Sequence, residues 1–272
     1  MILLLFLAST GFAEENIHNL SICCIFQNDA KYLPEWIEFH KSQGVEHFIL
    51  YNNRSADDWK SILKPYVSSG LVEINDWNYK YSSIEEWNHI QCSAYFDCIR
   101  KQKARSKWIA FLDTDEFLFS PCGDLRIILK EFKSFGGVCI NWVIYGTSNI
   151  EEIPPLENIR RYLLYRSPLD YIGNKHVKSI VQPKKVRACV NPHFFIYKDT
   201  HAVSENKEKI EGAFSAYVSV NLLRINHYTQ RDLKYYREIK SQRKRRWGIP
   251  EEQIKAGETS HNEVYDPIIS TL

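Results

Sequence analysis

The chain has 272 residues, of which 44% are hydrophobic and 14% aromatic, and its formal net charge is +2. This composition suits one large α/β domain, or a domain with a subdomain, and excludes a disordered chain. A net charge so near zero argues against a nucleic-acid-binding protein, so we expect no nucleic-acid partner. The seven cysteines show neither a C-x-x-C pair nor zinc-ribbon spacing, and they do not resemble a disulfide framework.

The first thirteen residues differ from the rest of the chain. Residues 2–8 form a short apolar run, and Gly11 and Ala13 are small residues suited to a cleavage site. The run is too short for a membrane-spanning helix. We therefore predict that residues 1–13 are a signal peptide or a short anchor and that the protein is exported or membrane-associated. A buried first strand is the alternative, and without a working leader the protein would be cytoplasmic.

From Leu20 onward, apolar strand-like runs alternate with helical patterns. The predicted elements are, in order, strand 20–26, helix 34–44, strand 47–51, helix 57–70 and strand 71–74. Ser83 and Glu86 form a capping-box pair in front of a long helix, and a fourth strand follows that helix. This alternation predicts an α/β fold with a mostly parallel, doubly wound sheet.

The regularity breaks down after about Gly146. Proline and asparagine become frequent, and 175–181, 193–197 and 222–225 resemble strands. A basic helix is predicted over 229–246. We divide the chain into a single domain, 20–247, with a regular half (20–146) and an irregular half (147–247), followed by a polar tail (248–272).

The fourth predicted strand ends in Asp113-Thr114-Asp115, directly followed by Glu116. In open α/β sheets, ligands bind at the carboxyl ends of the strands. Adjacent carboxylates repel each other unless a cation neutralises them, and a divalent metal that carries a diphosphate fits that need. An isolated Asp-X-Asp is more often a solvated loop. Here, however, Asn28-Asp29 and Asn52-Asn53 also end strands, so three polar clusters can line one crevice.

Beyond these clusters, several longer stretches share one order with a known family. They are 27–36, 44–48, 51–53, 70–72, 94–98, 108–117, 141–146, 176–181, 191–195 and 226–228, which together span about 21–247. In the residues and the order of these stretches, the chain resembles glycosyltransferase family 92. The resemblance implies a GT-A nucleotide-sugar-binding fold, with a nucleotide-binding half (20–146) and an irregular acceptor half (147–247). It also implies inverting transfer of a sugar, often galactose from UDP-galactose, to a glycan acceptor.

The resemblance also implies a metal site. Asp115 would ligate Mn²⁺ or Mg²⁺, Asp113 would contact the ribose or a metal-bound water and count among the metal ligands, and His227 would be a further ligand. A hard cation prefers oxygen ligands and bridges the two phosphates, so the leaving UDP departs with its charge neutralised. A lone histidine such as His227 is otherwise more often a core residue.

Other residues are assigned to the donor on the same grounds. Asn28, Asp29, Asn52 and Asn53 would face the uracil and ribose, although these residue types also favour turns. The family usually has Lys-Asn-Glu where this chain has Gln27-Asn28-Asp29. Further donor-side residues are Lys178, which would help to neutralise the diphosphate, and Asp97, which with Gln91 would otherwise brace the metal strand.

The acceptor side is less clearly marked. Inversion requires a base that takes the proton of the acceptor hydroxyl. Asp170 is the first candidate and Glu116 the second, with His176 and His193 as further candidates. Two aromatic residues, Trp142 and Tyr145, would either stack on sugar rings or belong to the core.

The basic residues of 240–246 form either a solvated helix face or a surface for a membrane or an anionic glycan.

Three other functions compete with transfer. A catalytically inactive glycan-binding protein on the same fold is the main alternative. Aspartate-phosphoryl phosphatases also place Asp-X-Asp at a strand tip, but Phe117 stands where their pattern has threonine or valine. An EF-hand calcium loop is excluded because its third acidic position and its glycine are missing.

Overall fold

The computed structural model describes residues 17–272, so the predicted leader, 1–13, lies outside the described residues. The regular half follows the predicted order: β1 (His18–Phe26), α1 (Leu33–Ser42), β2 (His47–Asn52), α2 (Trp59–Ser68), β3 (Val72–Asp76), α3 (Ile84–Gln102), β4 (Ser106–Phe111) and β5 (Glu116–Phe119). Within 17–272, no helix has the length and apolar character that crossing a bilayer requires.

The rest of the chain, from Leu125 onward, contains mostly shorter elements. They are α4 (Leu125–Ile128), β6 (Gly137–Ile144), α5 (Ile159–Tyr162), β7 (Tyr165–Arg166), β8 (Val177–Val181), β9 (Val186–Asn191), β10 (Phe194–Tyr197), β11 (Ala202–Val203), β12 (Lys209–Ile210), β13 (Arg224–His227), α6 (Leu233–Tyr235), α7 (Ser241–Arg246), α8 (Glu251–Thr259) and β14 (Val264–Tyr265). A π-helical turn, Tyr236–Lys240, joins α6 to α7.

The central sheet has the strand order β12-β11-β6-β8-β4-β1-β2-β3, and β13 pairs with both β5 and β6. Strands β3, β2, β1 and β4 are parallel to one another. The predicted α/β fold with a mostly parallel sheet is therefore confirmed. One feature was not predicted: β8 lies antiparallel between β4 and β6, where it joins the two halves.

Strand β1 is buried on both faces, as a central strand of a doubly wound sheet must be. Its side chains alternate between two apolar clusters. Ile22 and Cys24 pack in the cluster that contains Trp36 of α1, whereas Cys23 and Ile25 pack with Tyr95 of α3. The alternation therefore places α1 on one face of the sheet and α3 on the other.

Both predicted helix-end signals around α1 and α3 are observed, with one difference. Pro34 lies in the first turn of α1, and Gly44 follows its end with a φ of +93°, a conformation that favours glycine. At α3, the Ser83 hydroxyl accepts a hydrogen bond from the Glu86 N–H at 3.2 Å. The Glu86 carboxylate bonds the N–H of Ser82, at 2.6 Å, rather than that of Ser83.

Residues 248–272 form part of the folded domain, which differs from the predicted polar tail. They contain α8 and β14, and β14 pairs with β7. Asp266 accepts hydrogen bonds from Arg166 and Arg224, at 2.6 and 2.9 Å. The segment looks like a tail in sequence because partners about 40 to 100 residues away, rather than a local apolar pattern, hold it in place.

Candidate active site

A cavity of about 340 Å³ lies at the carboxyl ends of β1 and β4, where the sequence predicts the ligand site. Its size is within the range of small-molecule sites in proteins. The strand ends contribute Asp29, the whole of Asp113-Thr114-Asp115 and His227 to its wall. The N-terminal part of α3 and one face of α7 with its flanking residues also contribute to the lining.

A second cavity of about 450 Å³ lies beside the first. The two share the side chains of Gln27, Tyr81, Tyr235 and Arg243. Gln27 connects three segments there, because its amide donates to the Asn53 carbonyl at 2.7 Å and accepts from the Tyr81 hydroxyl at 3.1 Å. The two cavities therefore adjoin, and we refer to them together as the cleft.

Asp113, the first acid of the pair, accepts one hydrogen bond from the protein at each carboxylate oxygen. One carboxylate oxygen accepts from the Gln91 amide at 2.8 Å, and the other accepts from the Lys178 ammonium at 2.9 Å. Lys178 is 1% exposed and also lies 3.5 Å from the buried Glu116. Burial lowers the pKa of Lys178, but Asp113 and Glu116 outweigh it and raise that pKa above its ordinary value. Lys178 therefore neutralises Asp113 and does not line the cavity as a phosphate ligand.

Asp115, the second acid, lies next to His227 in the wall of the first cavity. The pairing of β5 with β13 brings them together, and the Tyr228 N–H donates to the Asp115 carbonyl at 2.8 Å. The Asp115 Oδ1 lies 3.5 Å from the His227 Nε2. Burial raises the pKa of the Asp115 carboxyl, but His227, Lys240 and Arg231 outweigh it and hold that pKa well below its ordinary value.

The predicted metal ligands are only partly assembled. Among residues 17–272, no group of three or more His, Cys, Asp or Glu side chains is arranged to hold a metal. Two ligands about 2.1 Å from one cation lie roughly 3.0–3.5 Å apart, so the spacing of Asp115 and His227 fits a shared cation. The His227 Nδ1 is buried and has no partner within the described part of the chain. Asp115 and His227 therefore fit a divalent metal, whereas Asp113 is already paired with Lys178.

Asp29 is bound by an arginine that the sequence analysis did not single out. Its two carboxylate oxygens accept from the Arg231 guanidinium at 2.8 Å and from the Thr114 hydroxyl at 3.0 Å. Arg231 is 2% exposed and lies between the rings of Tyr32 and Tyr235, at 3.6 and 4.5 Å from their centroids. These contacts tie the β1 tip to the Asp-X-Asp loop.

The three predicted asparagine contacts have structural roles. Asn28 has a φ of +56°, and its side chain accepts from the Ala56 N–H at 2.7 Å. Asn52 accepts from the Ser55 N–H at 3.0 Å, and Asn53 accepts from the Tyr79 N–H at 3.0 Å. Only Asn28 lines either cavity, the second one. The asparagines form the turns around the cleft.

Several other predicted residues lie away from both cavities. Asp97 accepts from the Tyr51 hydroxyl at 2.8 Å and pairs with Lys101 at 2.7 Å, so it braces α3 instead of touching a nucleotide. Tyr145 is 0% exposed, which places it in the core. Trp142, in contrast, does line the first cavity.

Of the candidate bases, Asp170, Glu116 and His176 do not line a cavity, whereas His193 lines the first one. Glu116 is completely buried beside Lys178, because strand β5 turns its side chain into the protein. Burial raises the pKa of the Glu116 carboxyl, and the Lys178 charge opposes this shift. Asp170 is an exposed turn residue after β7 and is not part of either cavity wall.

One face of α7 and its flanking residues adds cations that the sequence analysis did not assign to the site. Lys240, Arg243 and Trp247 line the first cavity. Their spacing of three and four residues is the helical signal that identifies a shared face. Arg245 lies on another face and pairs with Glu251 at 2.7 Å. The basic run is therefore divided between the cleft and the outer surface.

The family model for glycosyltransferase family 92 matches residues 18–264, nearly all of the described chain. The chain belongs to glycosyltransferase family 92. This match confirms the resemblance identified from the ordered stretches.

Several relatives in the family are similar over most of the chain. A family 92 protein of Ricinus communis is 24% identical over 237 residues, which cover 84% of this chain and 38% of that protein. The β-1,4-galactosyltransferase galt-1 of Caenorhabditis elegans is 26% identical over 250 residues, which cover 86% and 53%. Galactan β-1,4-galactosyltransferase GALS3 of Arabidopsis thaliana is 30% identical over 172 residues, which cover 57% and 32%. The chain thus spans about half the length of these relatives, or less.

Among solved structures, Staphylococcus aureus TarS in complex with UDP matches with a TM-score of 0.40 and 14% identity, covering 61% of this chain and 47% of that one. This likeness is too distant to support an argument about function.

Proposed function

We propose that this chain is the transferase domain of a metal-dependent, inverting glycosyltransferase that moves a sugar from a UDP-sugar to a glycan acceptor. Galactose is the sugar we propose. The single observation that carries the proposal is the pairing of Asp115 with His227 at 3.5 Å in the wall of a cavity that Lys240 and Arg243 also line. This arrangement offers metal ligands and phosphate-binding cations side by side, as a nucleotide diphosphate requires.

In this proposal, the two adjoining cavities bind different parts of the UDP-sugar donor. Lys240 and Arg243 would bind the diphosphate, because cationic side chains form short, charge-assisted hydrogen bonds with phosphate oxygens. Arg243 lines both cavities, so it is placed at their junction. The second cavity would take the nucleoside, and Tyr81 offers it an aromatic face.

Asp115 and His227 would hold Mn²⁺ or Mg²⁺. When bound, such a cation neutralises the charge that develops on the leaving diphosphate. Arg231 fixes the position of the Asp29 side chain relative to the Asp-X-Asp loop, since it donates hydrogen bonds to both Asp29 and Thr114. Lys178 and Gln91 fix the position of the Asp113 carboxylate through their hydrogen bonds to its two oxygens.

The names of the relatives support galactose and inversion. Both galt-1 and GALS3 are named β-1,4-galactosyltransferases. A β-linked product made from an α-linked sugar nucleotide requires inversion at the anomeric carbon. These names concern the transferred sugar and the linkage of the product.

The proposal is tested by measuring UDP-galactose turnover with Mn²⁺ in the wild type and in Asp115→Asn. We expect Asp115→Asn to lose about 100-fold or more in kcat/KM, since the metal site supplies several kcal/mol of charge stabilisation. Asp97→Asn is the matched control: it removes the same charge from a carboxylate that contacts Tyr51 and Lys101 outside the cleft. We expect Asp97→Asn to retain turnover.

Two outcomes would contradict the proposal. Equal turnover in the wild type and Asp115→Asn would remove the metal site from the mechanism. Binding of glycans without UDP or metal, with no turnover of any UDP-sugar, would identify a glycan-binding protein.

A further inference from the structure

An inverting transfer needs a base, and the carboxylates of the first cavity are already engaged. Both oxygens of Asp29 and both oxygens of Asp113 accept hydrogen bonds from protein donors. Asp115 lies against His227 in the position that suits a cation. The predicted bases, Asp170 and Glu116, lie outside the cavity. Of the four candidate bases from the sequence, His193 is the one that lines this cavity.

The hydrogen bond at His193 fixes which ring nitrogen is basic. Its Nδ1 lies 2.9 Å from the Val177 carbonyl oxygen. A carbonyl oxygen only accepts hydrogen bonds, so Nδ1 must carry the proton. In the neutral ring, Nε2 then holds a free lone pair, and within residues 17–272 it has no hydrogen-bond partner. His193 thus presents an unprotonated nitrogen on a ring that lines the cavity.

The backbone around His193 is also held firmly. Its N–H donates to the Asn191 side chain at 2.8 Å, and its carbonyl accepts from the Ser179 hydroxyl at 2.8 Å. Val177 and Ser179 both belong to β8, so the strand that carries Lys178 orients the imidazole as well. Such support keeps a reacting group in position.

His193 is separated from the proposed metal ligands by an aromatic ring. The Trp142 ring lies 5.1 Å from the His193 ring and 4.3 Å from the His227 ring. Trp142 lines the same cavity, and an aromatic face is a common support for a sugar ring. An acceptor sugar bound against the part of Trp142 that lines the cavity would lie near both histidines.

We propose that His193 is the general base of the transfer, an inference that rests on the proposed function. The proton of the acceptor hydroxyl passes to Nε2 while the hydroxyl oxygen forms its bond to the anomeric carbon. The bond from that carbon to the diphosphate oxygen breaks, and its electron pair leaves with UDP. The imidazolium then returns its proton to water.

The basicity of His193 is sufficient for this step. Burial, with the Lys178 charge, lowers the pKa of His193 to about 3, so the free ring is neutral and able to accept a proton. Glycoside-cleaving enzymes use carboxylate bases with ordinary pKa values of about 4. The attacking hydroxyl becomes strongly acidic as its oxygen bonds to the anomeric carbon, so a weak base is adequate.

The test compares His193→Gln and His193→Ala with the wild type. Glutamine keeps a donor for the Val177 carbonyl but has no basic nitrogen, and alanine leaves room for a small nucleophile. We expect both variants to lose about 100-fold or more in kcat for the glycan acceptor, the usual contribution of general base catalysis. We expect the Kd for UDP, measured by calorimetry, to stay within about twofold, because His193 does not contact the donor in this scheme.

Azide separates a base from a structural residue. The azide anion attacks without losing a proton, so His193→Ala should form the β-galactosyl azide from UDP-galactose at least as fast as the wild type does. His176→Gln is the matched control, since its Nδ1 also bonds a carbonyl, that of Gly173, and its ring stacks on Trp142 outside the cavity wall. We expect His176→Gln to retain glycan transfer.

Two results would overturn the assignment of His193. One is full glycan transfer in both His193 variants. The other is loss of the azide reaction together with glycan transfer, which would indicate a structural role. A wild-type protein that turns over no UDP-sugar would instead overturn the proposed function and this inference with it.

Discussion

The Lys178 ammonium lies 2.9 Å from the Asp113 carboxylate, although β8 and the β4 tip are 65 residues apart in the chain. The same ammonium lies 3.5 Å from Glu116, so one buried cation balances two of the three adjacent acids. Asp115 is the one of the three acids that Lys178 does not contact. The antiparallel insertion of β8 between β4 and β6 is what brings this lysine to the site.

The Lys178 ion pair predicts a large loss of stability in Lys178→Met. The substitution leaves the buried Glu116 and the half-buried Asp113 without their cation, and breaking a buried pair by removing one partner costs about 3 kcal/mol or more. We expect the free energy of unfolding in urea to fall by about that amount. Lys107→Met, at an exposed lysine, should change it by about 0.5 kcal/mol or less. A similar small change for both variants would contradict a stabilising role of the pair.

We predict that substitutions on the two faces of α7 will affect UDP binding differently. Arg243 lines both cavities, whereas Arg245 pairs with Glu251 at the surface. Arg243→Gln should weaken UDP binding about tenfold or more, the value of one charge-assisted contact. Arg245→Gln removes the same charge and should leave the Kd within about twofold. Equal weakening by both variants would indicate a general charge effect instead of a binding site.

The parts of this structure that local patterns specify were predicted from the sequence. Strands β1 to β4 and helices α1 to α3 follow from apolar periodicity, and the place of Asp113 and Asp115 at a strand tip follows from their position after an apolar run. Parallel pairing then brings such tips to one edge of the sheet. The regular half and the location of the site could therefore be derived without a structure.

The use of individual side chains could not be derived in the same way. Asn52 and Asn53 were predicted to face the nucleotide, and the structure shows that their side-chain oxygens accept from nearby backbone N–H groups, a local bond that no sequence period reveals. The partner of Asp29 is Arg231, 202 residues further along the chain. A contact at that distance depends on the packing of the irregular half, where no sequence period predicts the course of the backbone.

The contact between Gly146 and residues 260–262 predicts that the C-terminal segment is closely packed against the domain. A Cβ at Gly146 would lie 2.5 and 2.7 Å from the carbonyl oxygens of Ser260 and His261, so the segment must shift. We expect Gly146→Ala to destabilise the protein by about 1–3 kcal/mol and to speed hydrogen exchange in 260–266.

Gly70→Ala is the control for Gly146→Ala. Gly70 has a φ of +76° and open space around it, so alanine strains only the local backbone, at a cost of about 1 kcal/mol. Hydrogen exchange in 260–266 should then match that of the wild type. Unchanged exchange in Gly146→Ala as well would contradict the close packing of this segment.

From the lowered pKa of Lys240, we predict that UDP affinity falls at alkaline pH. Burial lowers its pKa to about 8, with Arg243 adding to the shift and Asp115 opposing it. Below that pH the ammonium attracts the diphosphate, and above it the amine is neutral. Calorimetry without metal should therefore show a weakening of the wild-type Kd between about pH 8 and about pH 9.5, whereas Lys240→Arg stays charged and keeps a constant Kd, because arginine titrates above about 12. The arginine variant removes the titrating group and keeps the charge. Parallel curves for the two proteins would therefore exclude Lys240 as the group responsible.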